Sequence, residues 1–409
     1  MITVEQHLSR ILGTVRRLPS IDIGLLDAHG CVLAVDVASD VDLPGFTNSA
    51  MDGYAVRAAE VAGATADAPV HLPVVGDIAA GNTKALSLAP GQSMRIMTGA
   101  PLPRGADAVV PVEATDAGLS RVAVREATEV GRHVREVGGD VHAGDVVLRA
   151  GVRLGPRQIG LLAAVGAARV RVVPQPRVVV LSTGDELIDP GTRPGFGQVV
   201  DSNSVMLTAA LRELGAVPFR VPRVRDDARL LRETLERELL RADAVITTGG
   251  VSAGAYDTVK EVLSRVGTMS FDQVAMQPGK PQGFGVLGED HTPVFTLPGN
   301  PVSAMVSFEV FVAPALRRMA GRADHEQELL EATAAHDWTS PPGRTQFARV
   351  LLRDEGNGRT VALVGHQGSH VLGGLASANA LAVVPAEVTR VTAGDRLRCH
   401  PLGLVECVA

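Results

Sequence analysis

The sequence predicts a multidomain protein of α/β plus β class, and three observations carry that expectation. From about residue 177 to residue 319, short apolar runs alternate with helical stretches of roughly 10–15 residues, the rhythm of a doubly wound sheet covered on both faces. On either side of that stretch the pattern is β, with short valine-rich runs broken by Gly, Pro and Asp. The chain has 409 residues, which at about 150 residues per domain allows two to four domains with sizeable cores.

The elements follow in order. Thr3 and Gln6 stand at capping-box spacing and predict a helix over roughly residues 4–15. From residue 23 to about 137 the reading is β, with apolar runs at 32–37, 70–75, 108–112 and 122–124. Residues 137–172 are mixed: a turn at Gly144-Asp145, a short strand, and a helix over 157–165 that Pro156 starts. Val173-Pro174-Gln175-Pro176 reads as a stiff connector. Strands are expected at 177–181, 217–221, 244–247 and 294–297, and the sheet they form is expected to be parallel. Between and after them, helices are expected at 202–214 (capped by Asp201, stopped by Gly215), 227–240, 258–266 and 303–319. Beyond Gly321 strands are expected again, at 346–352, 361–364, 380–384 and 396–400.

Composition excludes several classes. Hydrophobic residues make up 45% and charged residues 21%, which fits a soluble globular chain. With 39 basic against 45 acidic residues and 3% aromatics, neither a cationic surface nor base stacking points to nucleic acid. Cys31, Cys399 and Cys407 form no C-x-x-C, so no disulfide framework or cysteine zinc site is indicated, and a reducing cytoplasm is expected. The N-terminus does not read as a signal peptide, and no uncharged apolar run reaches the ~18 residues of a membrane span.

Three strand-to-helix junctions carry the chemistry. They are Ser182-Thr183-Gly184-Asp185-Glu186, Thr247-Thr248-Gly249-Gly250-Val251-Ser252-Ala253-Gly254, and Pro298-Gly299-Asn300-Pro301-Val302-Ser303. All fall at carboxyl ends of strands, where open α/β sheets bind ligands. Glycines bring backbone N–H groups close to a ligand, helix starts favour an anion, and Thr247, Thr248, Ser252, Asn300 and Ser303 add neutral donors, which points to a phosphate-bearing ligand. The alternative is that these residues only turn the chain. Glu186, Asp226, Asp227 and Asp257 lie near the same loops; carboxylates beside a phosphate call for a cation such as Mg²⁺, or else they are helix caps. Lysine occurs only at 84, 260 and 280, and Lys280 stands in Pro278-Gly279-Lys280-Pro281, a stiff setting for an anion contact. Gly250-Val251-Ser252-Ala253-Gly254 also fits a hydrolase nucleophile elbow, with His366, His370 or His400 as the base, although the segment reads as an extended loop.

These loops, in this order, resemble the molybdopterin-binding fold. Asn48-Ser49-Ala50-Met51-Asp52-Gly53-Tyr54-Ala55, Met97-Thr98-Gly99-Ala100-Pro101 and Gly105-Ala106-Asp107-Ala108-Val109-Val110 narrow the resemblance to the molybdopterin molybdenumtransferases, the MoeA and gephyrin E-domain family. The resemblance implies an N-terminal segment from residues 1–24 and 138–175, an inserted β-rich domain at 25–137, a molybdopterin-binding α/β domain at 176–321 and a C-terminal β-barrel at 322–409. It implies insertion of molybdate into adenylylated molybdopterin with release of AMP, in an Mg²⁺-dependent, cytoplasmic homodimer that could contact the molybdopterin adenylyltransferase. Residues taken over by motif are Asp52, Thr98, Asp140, Glu186, Asp226, Asp257, Pro298 and Pro301, with Glu186 and Asp257 on the metal. Because Asp52 and Asp257 belong to different domains, the resemblance also implies a site shared between subunits. One departure stands out: family members often carry basic residues where this chain has Gln273 and Gln277. The rival reading is a molybdopterin-binding scaffold without catalysis.

Overall fold

A computed structural model of the protein describes residues 1–250, 258–324, 328–356 and 358–403. The first helix, α1 (Val4–Thr14), opens on the expected capping box: Thr3 Oγ1 accepts from Gln6 N, and Gln6 Oε1 accepts from Thr3 N. Val4, His7, Ile11 and Leu12 recur at helical spacing and are buried. Gly13, near the end of α1, is exposed and has open space where a Cβ would go. Gly13→Ala is therefore expected to stabilise the protein by about 0.5–1 kcal/mol, visible as a raised thermal midpoint.

The chain divides into two compact units, one of residues Asp22–His29 with Val35–Val170, the other of Met1–Ile21, Gly30–Ala34 and residues from Arg171 onward. In the smaller unit, β1 (Gly53–Val56), β2 (Val70–Ile78), β3 (Ser93–Ile96), β4 (Ala108–Pro111) and β5 (Arg121–Val124) form one sheet in the order β4-β1-β3-β2-β5. Strand alternation sends Tyr54 and Val56 into one apolar cluster with Val110 and Val122, and Ala55 into another with Ile78 and Ile96. The unit ends with α2 (Pro156–Ala164), which Pro156 starts as expected.

In the larger unit the expected alternation is present: β6 (Arg177–Ser182), α3 (Ser202–Leu214), β7 (Val217–Arg220), α4 (Ala228–Leu239), β8 (Ala244–Thr248) and α5 (Thr258–Val266). They are followed by β9 (Ser270–Gln273), β10 (Pro281–Leu287) and β11 (Thr292–Leu297). Asp201 caps α3 and Gly215 ends it with φ +88°. The sheet order is β7-β6-β8-β11-β10-β9. It is not wholly parallel: β7, β6, β8 and β11 are, but β10 runs against them and pairs antiparallel with both β11 and β9. No strand was expected at either segment; β10 carries two glycines and β9 has only four residues, which weaken the strand signal. Gly283 is needed where Phe271 packs, since a Cβ there would lie 2.9 Å from the ring. Val178 and Val180 face one core with α1 and α3, while Val179 and Leu181 face the other with α4 and α5.

The helix expected at 303–319 starts at Pro301 and has a π turn inside: α6 (Pro301–Ser307), a π segment (Phe308–Val312) and α7 (Ala313–Met319). Pro314 explains the interruption, because its ring crowds the carbonyl four residues back and it has no N–H for the α ladder. After it, β12 (Leu330–Ala334), β13 (Thr345–Asp354), β14 (Arg359–Leu363), β15 (Ala380–Val384) and β16 (Arg396–Pro401) close a five-stranded barrel in the order β13-β14-β12-β16-β15-β13. Only β12 was not expected; Leu-Glu-Ala-Thr-Ala carries a weak strand signal. Among the described residues, no helix is long and apolar enough to cross a membrane.

Candidate active site

Strands β6, β8 and β11 are neighbours, and their ends are in register: Ser182 lies beside Thr248, and Thr248 beside Leu297. The three loops singled out in the sequence therefore leave the sheet side by side. Thr183 N donates to Thr248 O (3.2 Å), and Gly249 N to Leu297 O (3.2 Å), stitching one loop to the next. Gly249 has φ +88°, and a Cβ there would stand 2.9 Å from Thr183 O, so glycine is required where the first two loops touch. Gly299 and Asn300 are exposed at the rim, Pro298 and Ser303 are buried, and Pro301 begins α6.

Not every predicted donor reaches the rim. Ser182 and Thr248 are buried, and their hydroxyls lie 3.0 Å apart, with Ser182 Oγ also donating to Asp201 Oδ1 (3.1 Å). These two side chains bind the protein to itself rather than facing a substrate. Thr183 Oγ1 is buried and has no hydrogen-bond partner among the described residues. Lys280 is half-buried and makes no ion pair among the described residues. Beside it in the chain, Gln277 Oε1 accepts from Arg344 Nη1 (3.2 Å), so a guanidinium stands next to a position where the family often has a base. Gln273, exposed at the end of β9, accepts through its carbonyl from Ile2 N.

The carboxylates separate into a cap and a cluster. Asp227 caps α4 by accepting from Leu230 N (2.9 Å), so the helix-cap reading holds for it. Asp226 N donates to Asp185 Oδ1 (3.4 Å). Partial loss of hydration first, and then the charges of Asp185 and Glu186, push the Asp226 carboxyl above the usual range, against a hydrogen bond from the Asp185 backbone. Asp257 and Ser252 lie outside the described residues. Among those described, no three His, Cys, Asp or Glu side chains gather closely enough to hold a metal alone. The described carboxylates that do lie together there are Asp185, Glu186 and Asp226.

In the smaller unit, Asp52 and Thr98 meet across 46 residues of sequence. Asp52 Oδ1 accepts from Thr98 N (2.7 Å) and from Thr98 Oγ1 (2.8 Å). The Thr98 backbone bond, then its hydroxyl, holds the exposed Asp52 carboxyl below the usual range. The hold is present at neutral pH and is lost as pH falls through that lowered pKa. Thr98→Val keeps the N–H bond and removes the hydroxyl bond, so the Asp52 titration, followed by carboxyl NMR, is expected to move up but stop short of a free aspartate. Asp140 is exposed on the turn after Gly138, and its N donates to Leu43 O (2.9 Å).

Comparison with known proteins agrees with this layout. Residues 2–166 match the MoeA N-terminal region (domains I and II), residues 179–318 a probable molybdopterin binding domain, and residues 331–402 the MoeA C-terminal region (domain IV). The chain is 46% identical over 408 residues to molybdopterin molybdenumtransferase 2 of Mycobacterium tuberculosis, covering 98% of this chain and all of that one. The chain belongs to the molybdopterin molybdenumtransferase family. Molybdopterin molybdenumtransferase 1 of the same organism is 42% identical, with 97% of each chain covered. The crystal structure of a molybdopterin biosynthesis MoeA protein from Pyrococcus horikoshii superposes with a TM-score of 0.78 at 30% identity, covering 98% of this chain and 99% of that one.

Family membership gives the hydrolase motif no support, and His400 is already engaged. Its Nε2 lies 3.2 Å from Glu309 Oε2, with both side chains buried. The sequence reading missed the barrel's contribution to the rim. Asn300 Nδ2 donates to Ser369 Oγ (3.1 Å), and Val302 N to Ser369 O (3.2 Å). Arg349, fully buried, donates to the carbonyls of His366 and Gly368 and fixes the loop that carries Ser369. The two glycines at 365 and 368 were the only local signal.

Proposed function

We propose that this protein inserts molybdate into adenylylated molybdopterin, releasing AMP and forming the molybdenum cofactor. The observation that supports it best is the alignment of three glycine-bearing loops at the adjacent ends of β6, β8 and β11, in a chain that matches all three family regions. Relatives named molybdopterin molybdenumtransferase make it a transferase.

In this reading the backbone amides of Gly250 and Gly299, with Asn300, hold the pterin and its phosphates, as glycine loops hold anions, while Gly184 and Gly249, whose amides are bonded to Val224 O and Leu297 O, let the loops pass close to one another. Lys280 and Arg344 supply positive charge for the anionic substrates. No protein nucleophile is needed: the dithiolene sulfurs of the substrate displace molybdate oxygens, and water cleaves the phosphoanhydride to AMP. Glu186, with Asp257, is the proposed holder of Mg²⁺, which when bound neutralises the anhydride and orients that water. Asp226 stands beside Glu186 as a carboxyl whose ionisation its neighbours oppose, and a cation there would relieve that opposition. Asp52, fixed by Thr98, and Asp140 are the smaller unit's proposed share, required for metal insertion. We propose a cytoplasmic homodimer that receives its substrate from the adenylyltransferase; light scattering tests the dimer.

The deciding experiment is AMP release by the purified protein from adenylylated molybdopterin, with molybdate, with tungstate and with neither. Oxoanion-dependent AMP release is expected. A protein that binds the substrate and never releases AMP would be a scaffold, and the proposal would fail.

A further inference from the structure

The first turn of α3 makes more hydrogen bonds than a helix start requires. An N-cap needs one bond, here from Ser204 N to Asp201 Oδ1 (3.0 Å). Asp201 is 3% exposed, and it also accepts from Ser182 Oγ at Oδ1 (3.1 Å) and from Ser204 Oγ at Oδ2 (2.6 Å). Ser182 Oγ in turn lies 3.0 Å from Thr248 Oγ1. Two residues further, Asn203 donates from Nδ2 to Gly299 O (2.7 Å). Its Oδ1 is buried without a partner among the described residues, a cost that helix formation does not explain. Arg220 of β7 completes the group: Nε donates to Ser204 Oγ (2.7 Å), and Nη2 donates to Asp189 Oδ1 (3.1 Å) and lies 3.8 Å from Asp201 Oδ2.

One helical turn thus reaches all three strand-end loops. Asp201 reaches the end of the first strand through Ser182, and the end of the second through the Ser182–Thr248 pair. Asn203 reaches the third directly, at Gly299. A buried carboxylate is costly unless its oxygens are satisfied, and a satisfied buried network is rigid. We propose that Asp201 and Asn203 are positioning residues for the transferase reaction, holding the three loops in one register through Ser182, Thr248 and Gly299. Neither touches substrate in this proposal, which rests on the reading that the loops bind the substrate. A substrate that spans three loops reacts only if they are aligned with one another, and a slip of about 1 Å can cost on the order of 10²-fold in rate.

The test separates capping from positioning. Serine is as good an N-cap as aspartate, but it is one bond shorter than the carboxylate whose Oδ1 takes both Ser204 N and Ser182 Oγ, and it has neither the second oxygen that takes Ser204 Oγ nor the charge that faces Arg220. In the full-length protein, Asp201→Ser and Asn203→Ala are each compared with wild type by kcat and KM for AMP release and by amide hydrogen exchange without ligand. Asp201→Ser is expected to speed exchange at Thr183, Gly184 and Gly249, and Asn203→Ala at the Gly299–Asn300 segment. The helical circular dichroism and exchange in the barrel should stay unchanged. In both variants kcat is expected to fall about tenfold to 10²-fold, with KM within about threefold. Unchanged exchange with normal kcat would overturn the positioning role and reduce Asp201 to a cap. Faster loop exchange with normal kcat and KM would overturn it too, and would also sink the reading of these loops as the substrate site. Absence of AMP release in wild type would defeat the proposed function independently of α3. Should Asp201→Ser fail to fold, Asn203→Ala and Ser182→Ala carry the same comparison.

Discussion

Glu186→Gln is expected to leave substrate binding in place and to abolish AMP release. Glutamine keeps the shape of the side chain, removes its charge and replaces one acceptor oxygen with an NH2 donor. If Glu186 holds Mg²⁺ on the anhydride, the loss is several kcal/mol of transition-state stabilisation, on the order of 10³-fold in rate at about 1.4 kcal/mol per tenfold. The cluster supplies a second readout that does not depend on turnover. Asp226, though exposed, is pushed above the usual range because it loses part of its hydration and because Asp185 and Glu186 repel its charge. Removing one of those charges moves the Asp226 pKa down, so it ionises at lower pH than in wild type. The sign for stability follows: a carboxyl whose folded pKa is raised disfavours the folded state as pH rises through its ordinary range, and the variant loses part of that penalty. AMP release is read by chromatography, binding by calorimetry and the titration by NMR. Normal turnover in Glu186→Gln would remove Glu186 from the metal.

Local signals told more about the α/β region than about anything closed by distant contacts. Asp201 and Gly215 act where their residue types predict, because caps are decided within a few positions. The three loops were legible for the same reason: each is a strand end followed by Gly or Pro. The direction of Ser182 and Thr248 was not read. The parallel register that aligns them also brings the two hydroxyls onto each other, with Ser182 Oγ bonded on to Asp201, and register between strands 66 residues apart has no local signature. The glycines of β10 give no local signal for a strand, since they serve close packing, Gly283 against Phe271 and Gly285 against Thr268 and Met269. Ser369 reaches the rim only because Arg349 holds its loop from inside the barrel, a contact that no spacing in the sequence announces. Asp52 and Thr98 were found by the resemblance of their motifs, and their hydrogen bonds supply the physical reason for the pair.

Gly53→Ala is expected to break the centre of the smaller unit. Gly53 begins β1, which lies between β3 and β4 and pairs there with Ile96 and Pro111. A Cβ would stand 2.0 Å from Val110 O, 2.9 Å from Val110 C and 3.0 Å from Pro111 Cα. All three are backbone atoms, so no side chain can swing away, and β1 cannot retreat from β4 without entering β3. Backbone conformation is not the obstacle, because Gly53 is not among the positive-φ glycines. The expected cost is on the order of 4 kcal/mol, a large share of a typical net stability of about 5–15 kcal/mol. The damage also reaches the adjoining residue: Asp52 O accepts from Val112 N (3.0 Å), and a displaced strand carries Asp52 away from Thr98. Faster exchange at Tyr54, Ala55 and Val110 is expected, together with a lower thermal midpoint, loss of the low Asp52 pKa and loss of metal insertion. Gly63→Ala is the control, since nothing lies within 4 Å of its Cβ position and its φ is ordinary; a change of within about 0.5 kcal/mol is expected there. Equal stability in the two variants would show that β1 and β4 can separate without cost, and would remove steric necessity as the reason for glycine beside Asp52.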